Sequence, residues 1–97
     1  MKTKLRDYDV AAHLRTPEEM AAYLEAAIEE RDGDAALIAM ALGDIARAKG
    51  MAELSRETGL GRESLYKALS AEGNPQLSTV LKVAKALGLQ FHVKPAA

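Results

Sequence analysis

The sequence predicts an all-α domain of five main helices, the first in an N-terminal extension, with one short strand at the C-terminus. Three observations carry this. Apolar residues recur at three- and four-residue spacing through most of the chain. Glycine, proline, Asp and Thr stand where helix starts and stops are needed. Hydrophobic residues make up 48% of the chain but aromatic ones only 4%, so the core must be built from Ala, Leu, Ile, Val and Met, which suits packed helices. At 97 residues the chain is one domain by length, with a modest core that needs no staples.

After a polar start, Asp9 can cap a single turn through Val10 to Leu14. Thr16-Pro17-Glu18-Glu19 is a stronger helix start: Thr16 as N-cap, Pro17 at N1, and Glu19 at N3 closing a capping box. Met20, Tyr23, Leu24, Ala27 and Ile28 form the apolar stripe of this helix, which should run to about Arg31 before Asp32-Gly33 breaks it. Asp34 caps the next helix, whose buried face should comprise Leu37, Ile38, Ala41, Leu42, Ile45 and Ala48, with Arg47 and Lys49 well placed in the last turn before Gly50. Downstream, Gly73-Asn74-Pro75 punctuates the chain, and Leu77, Val80, Leu81, Ala84 and Leu87 then keep helical spacing up to Gly88. At the end the period changes: Leu89, Phe91 and Val93 alternate with Gln90, His92 and Lys94, which reads as a strand. One strand cannot satisfy its own backbone, so it must pair with the N-terminal segment, a second copy or a partner. The chain thus divides into an extension over residues 1–33, a core over 34–88 and a strand with tail over 89–97.

Between these lies the segment MAELSRETGLGRESLYKALS, residues 51–70, which reads as two short helices joined by a tight glycine turn. That is the helix-turn-helix pattern, whose second helix can enter a DNA major groove. Leu54 and Thr58 share a face, Ser55 keeps the helix crossing small, and Gly59 can take a positive φ. In the second helix Leu65, Ala68 and Leu69 point inward, leaving Arg62, Glu63, Ser64, Tyr66 and Lys67 to face away and read DNA.

Charge divides along the chain. Residues 1–34 hold five Lys/Arg against nine Asp/Glu, net −4, whereas residues 35–97 hold eight against five, net +3. The basic part supports phosphate contacts, and its modest charge suits a dimer that doubles it. The acidic part is either a solvated helix face or a surface for a basic protein. There is no cysteine, which excludes disulfides and thiolate chemistry, and no apolar run approaches a membrane span or a signal segment; a cytoplasmic protein is expected. An enzyme is not expected, nor a metal or cofactor: His13 and His92 belong to no ligand or nucleophile motif, and no phosphate-binding glycine pattern occurs.

Three runs make the pattern specific: ALGDIARAKGM at 41–51, TGLGRESLYKALS at 58–70 and GNPQLSTVLKVAKALGL at 73–89. With Tyr8-Asp9, Ala11, Ala12, Leu14 and Ala22-Tyr23-Leu24 ahead of them, they resemble the antidote proteins of bacterial addiction modules, in the Cro/C1 (XRE-like) helix-turn-helix superfamily, over nearly the whole chain. The resemblance implies a lambda repressor-like fold and an antitoxin that binds a small basic RelE/ParE/HigB-like toxin encoded beside it. It further implies repression of the shared operon by operator binding; a paired operator and the alternating C-terminal strand together argue for a symmetric homodimer. Carried over by position, Arg62, Glu63 and Lys67 match base-reading sites, and Ser64 and Tyr66 match base- or phosphate-contacting ones. The chemistry agrees, since Arg62 can pair with guanine O6 and N7, Glu63 can accept from cytosine N4, and Lys67 can serve guanine or phosphate. Asn74 and Gln76 are candidates for phosphate, with a local capping role for Asn74 as the alternative. Gly61 departs from the superfamily pattern, where a serine or similar cap commonly opens the recognition helix, and Ser55 replaces the usual alanine.

The acidic part then becomes a toxin-docking candidate through Asp7, Tyr8, Asp9, Glu18, Glu25, Glu29 and Glu30, while Leu89, Phe91 and Val93 are the dimer candidates. Two other functions stay open: a stand-alone repressor without a toxin, and a protein-interaction module that has lost DNA binding.

Overall fold

The structure, a computed structural model, describes residues 14–30, 34–70 and 72–96. Among these residues the chain forms five helices and no strand: α1 (Pro17–Glu30), α2 (Ala35–Lys49), α3 (Met51–Thr58), α4 (Arg62–Ala68) and α5 (Leu77–Ala86). The turn expected from Asp9 lies outside the described residues apart from Leu14, which is buried.

The first two helices start as local chemistry requires. Thr16 Oγ1 accepts from the Glu19 amide at 3.1 Å while Glu19 Oε1 accepts from the amides of Thr16 at 3.2 Å and Arg15 at 2.8 Å, completing the capping box. Asp34 Oδ1 accepts from the amides of Ala36 at 2.9 Å and Leu37 at 3.4 Å, so two otherwise orphaned donors open α2 satisfied. At the far end of the chain, Gly88 takes φ 80° and closes α5 in a Schellman turn: its amide donates to Lys85 O, and the Leu89 amide donates back to Ala84 O.

Helix α2 is the centre of the core, with Leu42, Ile45 and Ala46 fully buried. It packs against α1 and α3. It also meets α5 through Lys49, whose Nζ donates to the Ala86 carbonyl at 3.0 Å and lies 3.7 Å from Glu57 at the end of α3. Ala48 was expected on the buried face but is exposed; Ala39 and Ala46 are buried instead, because neighbours surround α2 on more than one side.

Helix α1 is fixed to α2 by Met20 and Leu24, and by a polar contact that apolar periodicity does not signal. Tyr23 Oη donates to Asp44 Oδ2 at 2.6 Å, and Arg47 reaches the other Asp44 oxygen at 3.4 Å. Asp44 is only 8% exposed, so its charge is held by these donors in a mostly apolar layer. Tyr23→Phe keeps the ring and removes the donor; it should lower stability by about 1–2 kcal/mol in denaturant unfolding.

Two C-terminal expectations change. The buried stripe of α5 runs through Val80, Val83, Ala84 and Leu87, which puts Leu77 and Leu81 on its flank, 72% and 48% exposed. Residues 89–96 form no strand among the described residues, and the N-terminal segment expected as one possible ladder partner lies outside those residues. Nor do Leu89, Phe91 and Val93 share one face: the Schellman turn folds Leu89 back onto the core, Phe91 is 43% exposed and Val93 almost wholly so.

Candidate functional site

Helices α3 and α4 are joined by Gly59, Leu60 and Gly61, and side chains at the end of α3 hold the connection. Gly59 stands at φ 77°, ψ 6°, the left-handed region that an L side chain occupies only with strain, and its amide donates to Ser55 O at 2.9 Å. Thr58 Oγ1 donates to Leu54 O at 2.8 Å and accepts from the Leu60 amide at 3.2 Å. Ser55 Oγ donates to the Leu60 carbonyl. The helical pattern marks Ser55 only by its small size; its hydroxyl also ties the turn to α3, a role that a serine four residues before a turn glycine can signal.

Helix α4 then packs on one face. Leu65 and Leu69 are buried, and Leu65 donates its amide to Gly61 O at 2.9 Å in the first turn. Its C-terminal end rests on two glycines. A Cβ at Gly43 would collide with the carbonyl oxygen of Leu69, and one at Gly73 would collide with the carbonyls of Ala68 and Lys67. Gly43 escaped the sequence reading because a glycine inside a helix registers as a weak helix former, and its value lies in contact with a segment over twenty residues away.

With one face fixed, the other presents Arg62, Glu63, Ser64, Tyr66 and Lys67 together, all exposed as expected. Among the described residues neither Arg62 nor Lys67 is ion-paired, so both cations and the Tyr66 hydroxyl remain available to a ligand. Asn74 and Gln76 are also exposed, on the turn that leads from α4 into α5. The cap position of α5 is held by Gln76, not Asn74, and Gln76 makes no side-chain cap bond, so the first amides of α5 stay open to a ligand.

Gly61 is the cap of α4 and likewise offers no side-chain bond. Its φ of −66° and ψ of 150° suit any residue, and a Cβ there would meet only Ser64 Oγ at 3.9 Å. Gly61→Ser should therefore raise stability by about 0.5–1 kcal/mol, through a cap bond and a less flexible unfolded chain, as read by denaturant unfolding.

A second surface involves both ends of the described chain. Glu18, Glu25, Glu29 and Glu30 are exposed on α1, whereas Asp7, Tyr8 and Asp9 lie outside the described residues. Residues 89–92 run beside α1, leaving a groove between Glu25, Ala21 and Ile28 on the helix and Phe91 and His92 on the tail; Glu18, Lys85 and His92 border the adjoining depression. Among the described residues no group of three or more His, Cys, Asp or Glu could hold a metal ion, and none of the described helices is long and apolar enough to cross a membrane. His13 falls outside the described residues, and His92 lies on the tail.

The chain is similar to known sequences over nearly all of its length. A family model described as a probable addiction module antidote protein matches residues 4–95. A protein of Haemophilus influenzae (strain ATCC 51907 / DSM 11121 / KW20 / Rd), described as uncharacterized, is 51% identical over 94 residues, covering 97% of this chain and 95% of its own length. No solved structure matches.

Proposed function

The chain belongs to the family of probable addiction module antidote proteins, and from this membership we propose that it is the antitoxin of a bacterial type II toxin–antitoxin module. It neutralises a small basic toxin of the RelE/ParE/HigB kind, encoded beside it, by direct binding, and it represses the shared operon by binding operator DNA. In this reading α2 to α5 are a Cro/C1-type helix-turn-helix core and α4 is the recognition helix. The observation that carries the DNA half is the two-sided character of α4: Leu65 and Leu69 are locked inward while Arg62, Glu63, Ser64, Tyr66 and Lys67 are all exposed. Arg62 pairs with guanine, Glu63 accepts from cytosine and Lys67 meets guanine or phosphate. Asn74, Gln76 and the open amides of α5 take phosphate, which fixes the register of α4 in the groove. Glu63 disfavours indiscriminate phosphate binding and so favours a specific reader.

A two-fold operator calls for a symmetric dimer. Of the exposed apolar side chains, Leu77 and Leu81 adjoin the turn after α4, whereas Phe91 and Val93 lie beyond the other end of α5, about 15 Å along its axis. Leu77 and Leu81 are therefore better situated than Leu89, Phe91 and Val93 to join two recognition helices. Leu77→Glu with Leu81→Glu should give a folded monomer by sedimentation, with operator affinity lowered at least tenfold; unchanged mass would return the dimer contact to residues 89–93.

The antitoxin reading is tested by co-expressing the full chain with the product of the adjacent reading frame. Growth arrest by that product alone, relieved by this chain with co-purification of the two, is the expected result. Absence of toxicity and of a complex, with operator binding intact, would make the chain a stand-alone repressor.

A further inference from the structure

We propose that the groove between α1 and residues 89–92 is the docking site for a basic, apolar-tipped segment of the toxin, so that the two ends of the described chain form one recognition surface. The proposal rests on the antitoxin reading above. It adds which surface is used and what chemistry the partner must bring.

The floor of the groove is apolar. Ala21 is exposed on α1, Ile28 is half-buried, and Phe91 keeps 43% of its surface open facing them. A half-open Phe beside an uncovered alanine is suited to receive an apolar side chain, because the ring loses its remaining water contact on binding. The tail owes its position to the Schellman turn, which sends Leu89 into the core and leaves Phe91 and His92 alongside α1. The wall is thus anchored before a partner arrives.

The rim is acidic. Glu18, Glu25 and Glu29 fall at seven- and four-residue spacing and therefore along one stripe of α1, with Ala21 and Ile28 between them. All three are exposed, and among the described residues none is ion-paired. The carboxylate stripe on α1 outnumbers Lys85 and selects the occupant: nucleic acid and anionic membrane are disfavoured there, and a segment carrying Lys or Arg is attracted and steered. An apolar floor under an unpaired anionic rim accordingly fits a basic amphipathic segment, the apolar contact giving lasting affinity and the carboxylates speed of encounter. The surface is separate from α4 and leaves the DNA-reading side chains uncovered.

The test uses the full chain and the co-expressed product of the adjacent reading frame. Ala21→Arg fills the floor with a large cation on an exposed helical position that tolerates it, and the triple change Glu18→Gln, Glu25→Gln and Glu29→Gln removes the rim charge without changing its shape. Ala21→Arg should abolish co-purification and growth rescue. The triple variant should slow association by roughly tenfold at low salt and flatten its salt dependence. Both should keep wild-type operator affinity and melting temperature. Wild-type binding to toxin by both folded variants would overturn the groove while leaving the antitoxin reading intact. A shift from dimer to monomer in either variant with toxin affinity unchanged would make the groove a contact between copies and also overturn the proposal. Failure of the wild-type chain itself to bind the product would remove the antitoxin reading and the proposal with it.

Discussion

The double variant Arg62→Ala, Lys67→Ala should lose specific operator binding almost completely while unfolding at the wild-type denaturant concentration. Both side chains are exposed on α4, and stability there rests on Leu65, Leu69 and the glycine contacts, which neither substitution touches. One good bidentate base contact contributes about 1–3 kcal/mol of discrimination, and two losses on one reading face combine to at least about thirtyfold in affinity. Removing two positive charges should also reduce the slope of affinity against salt by about two if both meet phosphate, and leave it nearly unchanged if both meet bases. Anisotropy titrations at several salt concentrations measure both quantities. Wild-type affinity in the double variant would remove α4 from the DNA interface.

Gly43→Ala should destabilise the chain by about 1–3 kcal/mol, against the usual trend for such a change. Inside an ordinary exposed helix, glycine to alanine is a gain of about 1 kcal/mol, because glycine loses more backbone freedom on folding. Here the added methyl would occupy the space of the Leu69 carbonyl, a backbone atom that moves only if the end of α4 moves. The loss from overpacking exceeds the gain in propensity, and displacement of α4 should weaken operator binding as well. Denaturant unfolding with a parallel DNA titration checks both. A more stable variant would mean that α2 and α4 are not in backbone contact.

The exposed pair Arg62 and Lys67 on the one hand and Gly43 on the other mark what the sequence makes legible and what it does not. Helix ends are written locally: Thr16 with Glu19, Asp34, Gly59 and Gly88 each act within five residues of themselves, and all four behave as their types require. The outward set on α4 is legible for the same reason, since periodicity over one short helix fixes which side Leu65 and Leu69 take. Contacts between distant segments are not written that way. Tyr23 meets Asp44, Lys49 meets the Ala86 carbonyl, and Gly43 meets Leu69 because of how the helices cross. Residues at a helix flank are also ambiguous from spacing: Leu77 and Leu81 satisfy the apolar period of α5 and still fall outside its packed stripe. The C-terminal alternation is present in the sequence, but a ladder needs a second strand, which the described residues do not supply, and the turn at Gly88 directs Leu89 into the core.

DNA binding as proposed requires that a folded, two-sided α4 read a specific operator. Footprinting of the full chain on the DNA upstream of its own gene, with a scrambled duplex of equal length as competitor, tests it most directly. The expected result is a protected site with two-fold symmetry, half-sites about one helical turn apart, and affinity that falls steeply with salt yet exceeds that for the scrambled duplex by at least a thousandfold. Equal affinity for both duplexes at every salt concentration, or no protection at all, would contradict it.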